Sequence, residues 1–130
     1  MKFVTTDDAP AAIGPYSQAV IAHGLVYTSG QLGLLPSGEL ADASVGKQMY
    51  QIMKNLYYIL DSAGSQLTDV IKTTIYLEDM RDFEEMNEIY TYHFKEHKPA
   101  RTTIAVRSLP MGVKIMIDCV AVAHSNADFG

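Results

Sequence analysis

The chain has 130 residues, of which 48% are hydrophobic and 19% are charged, and we expect residues 1–130 to fold as one domain. Its net charge of −5 and its scattered lysines and arginines disfavour a nucleic-acid partner. The single cysteine, Cys119, excludes a disulfide framework and a multi-cysteine metal cage within the chain. Residues 1–10 do not resemble a secretory signal, and no apolar run approaches about 20 residues, so we expect a cytoplasmic protein with no membrane partner.

The first third of the chain predicts a β-hairpin. Tyr16 to Ala22 and Leu25 to Gln31 are rich in Val, Ile, Tyr and Thr, and His23-Gly24 between them suits a tight turn. A short extra strand is expected at Lys2 to Thr5. Residues 32–43 contain turn residues and no helical period, so we expect a surface loop there.

The spacing of apolar residues then changes to three and four, which predicts a helix. Asp42 or Ser44 can cap its start, and Gly64 can end it. A second amphipathic helix is expected from about Arg81 to His97. The apolar stripe of the first helix is Val45, Met49, Ile52, Met53, Leu56, Ile59, Leu60 and Ala63, and that of the second is Phe83, Met86, Ile89 or Tyr90, and Phe94.

Three further strands are expected in the second half of the chain. Asp69 to Leu77 is β-branched, and Arg101 to Arg107 and Val113 to Ala123 complete the set. The tail from residue 124 to 130 is polar, and we expect it to be frayed. Alternation predicts Val70, Lys72, Thr74 and Tyr76 on one face of the first of these strands, and Ile71, Thr73, Ile75 and Leu77 on the other.

These elements predict an α+β fold of the order β-β-α-β-α-β, in which one mixed sheet carries both helices on one face. The opposite face would carry apolar and aromatic side chains. A domain of this size has no third layer to cover them. We therefore expect an identical subunit to pack on that face.

The sequence His93-Phe94-Lys95-Glu96-His97 matches the H-x-x-E-H pattern of a zinc protease. It lies at the expected end of a helix, where the helix dipole alone favours cationic side chains, and no acidic helix follows to supply a third ligand. We therefore expect no metal here. Cys119 lies on a predicted strand without a plausible triad, and we interpret it as a small buried hydrophobic residue.

Three residues near strand ends are candidates for ligand binding. Gly30 can let the backbone approach an anion, or can simply mark a bulge or bend. Arg101 begins a strand directly after Pro99-Ala100, and its guanidinium can bind a carboxylate by two hydrogen bonds or form a surface salt bridge. Tyr16 can present its hydroxyl at the same place or only pack. Spacing alone leaves each of these alternatives open.

Five stretches of the chain together resemble the Rid family, also called the YjgF family. They are IGPYSQA (13–19), YTSGQ (27–31), DVIKTTIYLEDMRDFEEMNEIY (69–90), PART (99–102) and the ending LPMGVKIMIDCVAVA (109–123). The resemblance implies a chorismate-mutase-like fold and a homotrimer whose sheets form a central barrel, with clefts between subunits. It also implies hydrolysis of reactive 2-imino acids to 2-keto acids and ammonia without a cofactor.

The resemblance also implies roles for individual residues. Arg101 would clamp the carboxylate of a small substrate, and Tyr16 would be a hydrogen-bond donor in the same cleft. Both would act as catalytic residues. The resemblance also places Ser29, Gly30, Thr103 and Asn87 at the ligand. Backbone N–H groups near Gly30 and Thr103 would help to hold it.

One position departs from the family pattern. Active members carry an acid, thought to position or activate water, where this chain has Met116. A thioether cannot accept the proton, and loss of a general base typically lowers the rate about a hundredfold or more. Asp118 matches a second acid of the family pattern, two residues further on and on the same face of the strand. It could take the place of the missing acid, but its side chain is shorter.

The leading hypothesis is therefore a Rid-type enamine/imine deaminase, slowed by Met116. The alternative is a noncatalytic trimer of the same family that binds small carboxylates as a sensor or regulator, and Met116 keeps this alternative open. A ribonuclease or translation inhibitor, which older family names suggest, is disfavoured by the negative charge of the chain.

Overall fold

The computed structural model describes residues 1–124. Within them, two helices and a mixed sheet of seven strands confirm the predicted α+β class. The expected fraying falls almost wholly on residues 125–130, which lie outside the described residues. The strands are β1 (Lys2–Val4), β2 (Ala19–Ala22), β3 (Leu25–Thr28), β4 (Gln31–Leu32), β5 (Val70–Leu77), β6 (Ala100–Ala105) and β7 (Ile115–Val122), and the helices are α1 (Val45–Ser62) and α2 (Phe83–Phe94).

The strand order in the sheet is β1-β2-β3-β7-β5-β6, and β4 also pairs with β7. β5 and β6 are parallel because α2 crosses over between them, and the other pairs are antiparallel. Both β6 and β7 follow α2, so the predicted order β-β-α-β-α-β lacks the last strand of the chain. β7 therefore lies at the centre of the sheet, between the hairpin and β5.

The predicted hairpin is present, but both of its strands are shorter than predicted. The chain does not enter the sheet until Ala19, and β3 ends at Thr28. The turn at His23-Gly24 has positive φ at both residues, 53° and 75°, which matches the twist of a two-residue hairpin. Ser29-Gly30 then interrupts the ladder, and the pairing with β7 resumes in β4 one residue out of step. This interruption lies at the candidate site.

The two helices differ in how well the sequence predicts their ends. Ser44 caps α1 as one of the predicted alternatives, since its Oγ accepts a hydrogen bond from the N–H of Lys47, and Gly64 follows α1 with a φ of 73°. α2 ends at Phe94, three residues before the predicted end. Lys95 leaves the helix with a φ of 54°, which turns the chain back toward β6.

The predicted faces of β5 are wrong at its first two residues. A bulge between Val70 and Lys72 shifts the register against β7. As a result Val70 is buried, and Ile71 is 46% exposed. From Lys72 to Leu77 the alternation follows the prediction.

Both helices pack on the same face of the sheet, where α1 and α2 bury their apolar stripes in one core with the inward residues of β5 and β7. The opposite face, here called the open face, is apolar and aromatic as predicted. Phe3 is 69% exposed there, and Ile104 is 42% exposed. In residues 1–124 we find no helix with the length and apolarity that a membrane span requires. The open-face residues include Phe3, Val20, Tyr27, Tyr76, Ile104, Met116, Asp118, Val120 and Val122.

Candidate active site

Arg101 is held in place without an acidic partner among residues 1–124. Its Nη1 donates a 2.7 Å hydrogen bond to Oδ1 of Asn87. Its guanidinium carbon lies 4.8 Å from the ring centre of Tyr90 and 5.7 Å from that of Phe83. No carboxylate of the described residues comes within 4.0 Å, so the alternative of a surface salt bridge is wrong there. Most of its N–H donors are therefore available to an anion.

The parallel pairing of β5 and β6 fixes the ring beneath this guanidinium. Arg101 lies opposite Thr73 in the ladder, and the hydroxyls of Thr73 and Tyr90 are 2.8 Å apart in a buried hydrogen bond. Burial raises the pKa of Tyr90, so its hydroxyl stays neutral. A neutral, anchored ring offers the guanidinium a cation–π contact and limits its motion.

Arg101 lines a cavity of about 260 Å³ together with Asn87. Lys95 and Lys98 line the same cavity, so the expectation that basic residues stay scattered is wrong at this place. They meet because α2 ends early and the following loop returns to β6. The cavity wall is therefore positively charged, which attracts small anions.

The two histidines of the H-x-x-E-H sequence do not share a helix face. α2 ends between them, one residue after His93. Nδ1 of His93 lies 2.9 Å from the carbonyl oxygen of Ile89, and Nε2 of His97 lies 2.6 Å from that of Val70. Among residues 1–124 no group of three or more His, Cys, Asp or Glu residues is placed to hold a metal ion.

Tyr16 lines a different cavity, of about 440 Å³. Neither Arg101 nor Asn87 lines it. One copy of the chain thus brings most of the predicted site residues into two separate groups. The second group is Tyr16, Ser29, Gly30, Met116 and Asp118.

Met116 packs directly over Gly30. A Cβ added to Gly30 would lie 2.7 Å from the Sδ of Met116, so a side chain at this position would displace the thioether. Gly30 therefore both interrupts the strand and exposes backbone at the cavity wall. Beside it, Oγ of Ser29 donates a 2.6 Å hydrogen bond to the carbonyl oxygen of Ser17, which ties the loop of Tyr16 to the sheet.

Asp118 shares the second cavity and is paired with a phenol that the sequence reasoning missed. The hydroxyl of Tyr76 donates a 3.0 Å hydrogen bond to Oδ2 of Asp118. Burial raises the pKa of Asp118, and the bond from Tyr76 partly opposes this. Burial and the neighbouring carboxylate also raise the pKa of Tyr76. The predicted alternation of β5, which put Tyr76 on one face with Lys72, was the only signal for this pair in the sequence.

Thr103 and Cys119 complete the set of predicted residues. Oγ1 of Thr103 is buried and has no hydrogen-bond partner in the part of the chain that the structure describes. It lies two residues from Arg101 on the same face of β6. Cys119 is buried as predicted, and burial raises the pKa of its thiol to about 12.

The chain matches a known protein family over most of its length. A family model described as Endoribonuclease L-PSP matches residues 6–123. The chain belongs to this family. The match confirms the resemblance to the Rid family, which is another name for the same group.

Family members of known name are similar over most of the chain. The chloroplastic Reactive Intermediate Deaminase A of Arabidopsis thaliana is 48% identical over 121 residues, which are 92% of this chain and 65% of that protein. The human 2-iminobutanoate/2-iminopropanoate deaminase is 45% identical over 122 residues, 93% of this chain and 89% of that protein. This chain thus spans just under two thirds of the plant protein.

Two solved structures show the same fold. Escherichia coli TdcF with bound serine superposes with a TM-score of 0.90 at 38% identity and covers 95% of this chain and 100% of that chain. Yeast Mmf1 superposes with a TM-score of 0.92 at 36% identity, covering 95% and 98%.

Proposed function

We propose that this protein is an imine/enamine deaminase that hydrolyses 2-imino acids to 2-keto acids and ammonia. The observation that carries the proposal is the guanidinium of Arg101, which lies in a positively charged cavity with Asn87 as its only described hydrogen-bond partner. A planar fork of free N–H donors suits a small carboxylate. Relatives at 45% to 48% identity are named as deaminases of this type.

The complete site forms between two copies of the chain. Arg101 and Tyr16 line separate cavities in one copy, and the two cavities share no lining residue. We infer a homotrimer whose sheets form a central barrel with the chorismate-mutase-like arrangement. The exposed Phe3 and Ile104 of the open face support this, because a lone domain rarely leaves such a surface uncovered. β6 at the edge of the sheet also offers unpaired backbone groups to a neighbour.

The reaction requires only a few groups of the protein. Arg101 holds the carboxylate, while the hydroxyl of Tyr16 and backbone N–H groups near Gly30 orient the substrate. Water then adds to the already electrophilic imine carbon, and the nitrogen leaves as ammonia. Fixing the reactants in this geometry supplies much of the acceleration, and the step needs no cofactor.

A noncatalytic carboxylate-binding protein is the second candidate, and Met116 is the observation that favours it. The thioether packs over Gly30 where a proton-accepting group would be useful. The related TdcF structure contains bound serine, an amino acid with a carboxylate. Arg101 would bind such a ligand in either case.

A coupled assay separates these two functions. A PLP enzyme generates 2-iminopropanoate, and the release of pyruvate is followed with and without the protein. We expect acceleration, and we expect Arg101→Ala to abolish it while Arg81→Ala, at an exposed arginine paired with Asp79, leaves it unchanged. No acceleration by the wild type would reject the deaminase. Binding of 2-ketobutyrate by calorimetry, lost in Arg101→Ala, would then support the regulator.

The assembly is tested by a charge on the open face. Ile104→Glu should convert trimers to monomers in sedimentation and remove activity, because burying a carboxylate in an apolar interface is costly. Tyr57→Glu is the control, since Tyr57 is 51% exposed on α1, which packs on the other face of the sheet. A fully active wild-type monomer would contradict the shared site.

A further inference from the structure

Asp118 lines the larger cavity and accepts a hydrogen bond from the phenol of Tyr76, and the proposed reaction uses neither group. We propose that Asp118, oriented by Tyr76, accepts the proton of the attacking water and so replaces the acid that Met116 removes from this site. This inference rests on the proposed deaminase function. It assigns Asp118 a catalytic role and Tyr76 a positioning role.

The sheet places the two groups at one point. Tyr76 of β5 lies opposite Met116 of β7, and Asp118 is the next residue of β7 on the same face. The phenol therefore reaches diagonally to Oδ2 of Asp118, at 3.0 Å. Oδ1 accepts no hydrogen bond from residues 1–124, so one carboxylate oxygen is held and the other is available to a water molecule.

Asp118 is also the only acid among the described residues that line this cavity. The same wall holds Tyr16 and Gly30, which the proposed function assigns to the substrate. Met116 is fixed against Gly30 and offers only a thioether. A water molecule in this cavity therefore has one described carboxylate to which it can give a proton.

Three ionisable groups face Asp118 from the neighbouring elements. Tyr76 of β5 donates to it, the charge of Lys72 of β5 acts on it from the same face, and Tyr16 lies across the cavity. Burial raises the pKa of Asp118, while the bond from Tyr76 and the charge of Lys72 lower it. A raised pKa makes the carboxylate a stronger base as long as it remains ionised. The raised pKa of Tyr76 keeps the phenol protonated as the donor.

The proton transfers balance around this one carboxylate. The imine nitrogen first takes a proton from solution, which makes the substrate an iminium. As the water oxygen bonds to the iminium carbon, the C=N electron pair moves to nitrogen and Asp118 takes a water proton. Asp118 then gives that proton to the amine nitrogen, and the C–N bond breaks with its pair on nitrogen. The hydroxyl proton passes to Asp118 as the C=O bond forms, and the departing ammonia takes it away as ammonium.

The test uses Asp118→Asn and Tyr76→Phe in the assembled protein, with Asp61→Asn and Tyr57→Phe as controls on the exposed surface of α1. Asp118→Asn should lower kcat about a hundredfold or more and leave the affinity for 2-ketobutyrate within about threefold. Tyr76→Phe removes a bond that lowers the pKa of Asp118, so the acid limb of the kcat profile should move to higher pH. Both controls should behave as wild type.

A double variant links the effect to the site. Met116→Glu in the Asp118→Asn background should restore kcat, because it returns a carboxylate to the same cavity. Wild-type kcat in Asp118→Asn, an unmoved acid limb in Tyr76→Phe, or no rescue by Met116→Glu would each overturn this inference and leave the deaminase function standing. An inactive wild type would overturn the proposed function and the inference with it.

Discussion

Asn87→Asp tests whether the substrate carboxylate lies against Arg101. Asn87 now offers a neutral oxygen at 2.7 Å from Nη1. An aspartate there would pair with the guanidinium and place a second negative charge beside the substrate carboxylate. Two carboxylates about 5 Å apart repel by about 3 kcal/mol at an effective dielectric constant of about 20. Because the cavity is open to solvent, we take about half of this repulsion energy, which corresponds to roughly tenfold weaker binding of the ligand.

The measurement is the dissociation constant of 2-ketobutyrate by calorimetry, with Asn87→Ala as the matched control. The alanine variant loses the orienting bond but adds no charge, so it should weaken binding less than the aspartate does. The difference between the two should shrink at high salt, because salt screens charges at an open cavity. Equal affinity in Asn87→Asp and wild type would refute the view that Arg101 holds the ligand.

Two further predictions concern packing and the thiol. Gly33→Ala should lower the free energy of unfolding by about 3 kcal/mol in urea titrations, because its Cβ would lie 2.7 Å from the Cα and carbonyl oxygen of Gln48 in α1. Gly30→Ala should cost about 1 kcal/mol, because Met116 is flexible and can move away; equal costs would contradict this reasoning. Cys119 should resist Ellman's reagent at mildly alkaline pH until guanidinium unfolds the chain, since burial raises its pKa to about 12, and rapid labelling of the folded protein would disprove it.

Local signals in the sequence were sufficient for the main elements. The apolar stripe of α1 and the cap at Ser44 depend on residues within one or two helical turns, so they can be recognised without the fold. The end of α2 and the bulge at Val70 could not be recognised in this way, because each depends on where the chain meets a distant strand. Gly30 shows the same limit: its motif was visible, but the thioether packed over it belongs to β7.

The sequence by itself determined the family, the two helices and the hairpin, and it marked Arg101 as a candidate, because these depend on short motifs and on local periodicity. Only the tertiary structure decided that Arg101 and Tyr16 line different cavities, that Asn87 orients the guanidinium, and that basic residues gather beside it. The hydrogen bond from Tyr76 to Asp118 joins residues 42 positions apart. Such a contact follows from the order and register of the strands, which no local preference specifies.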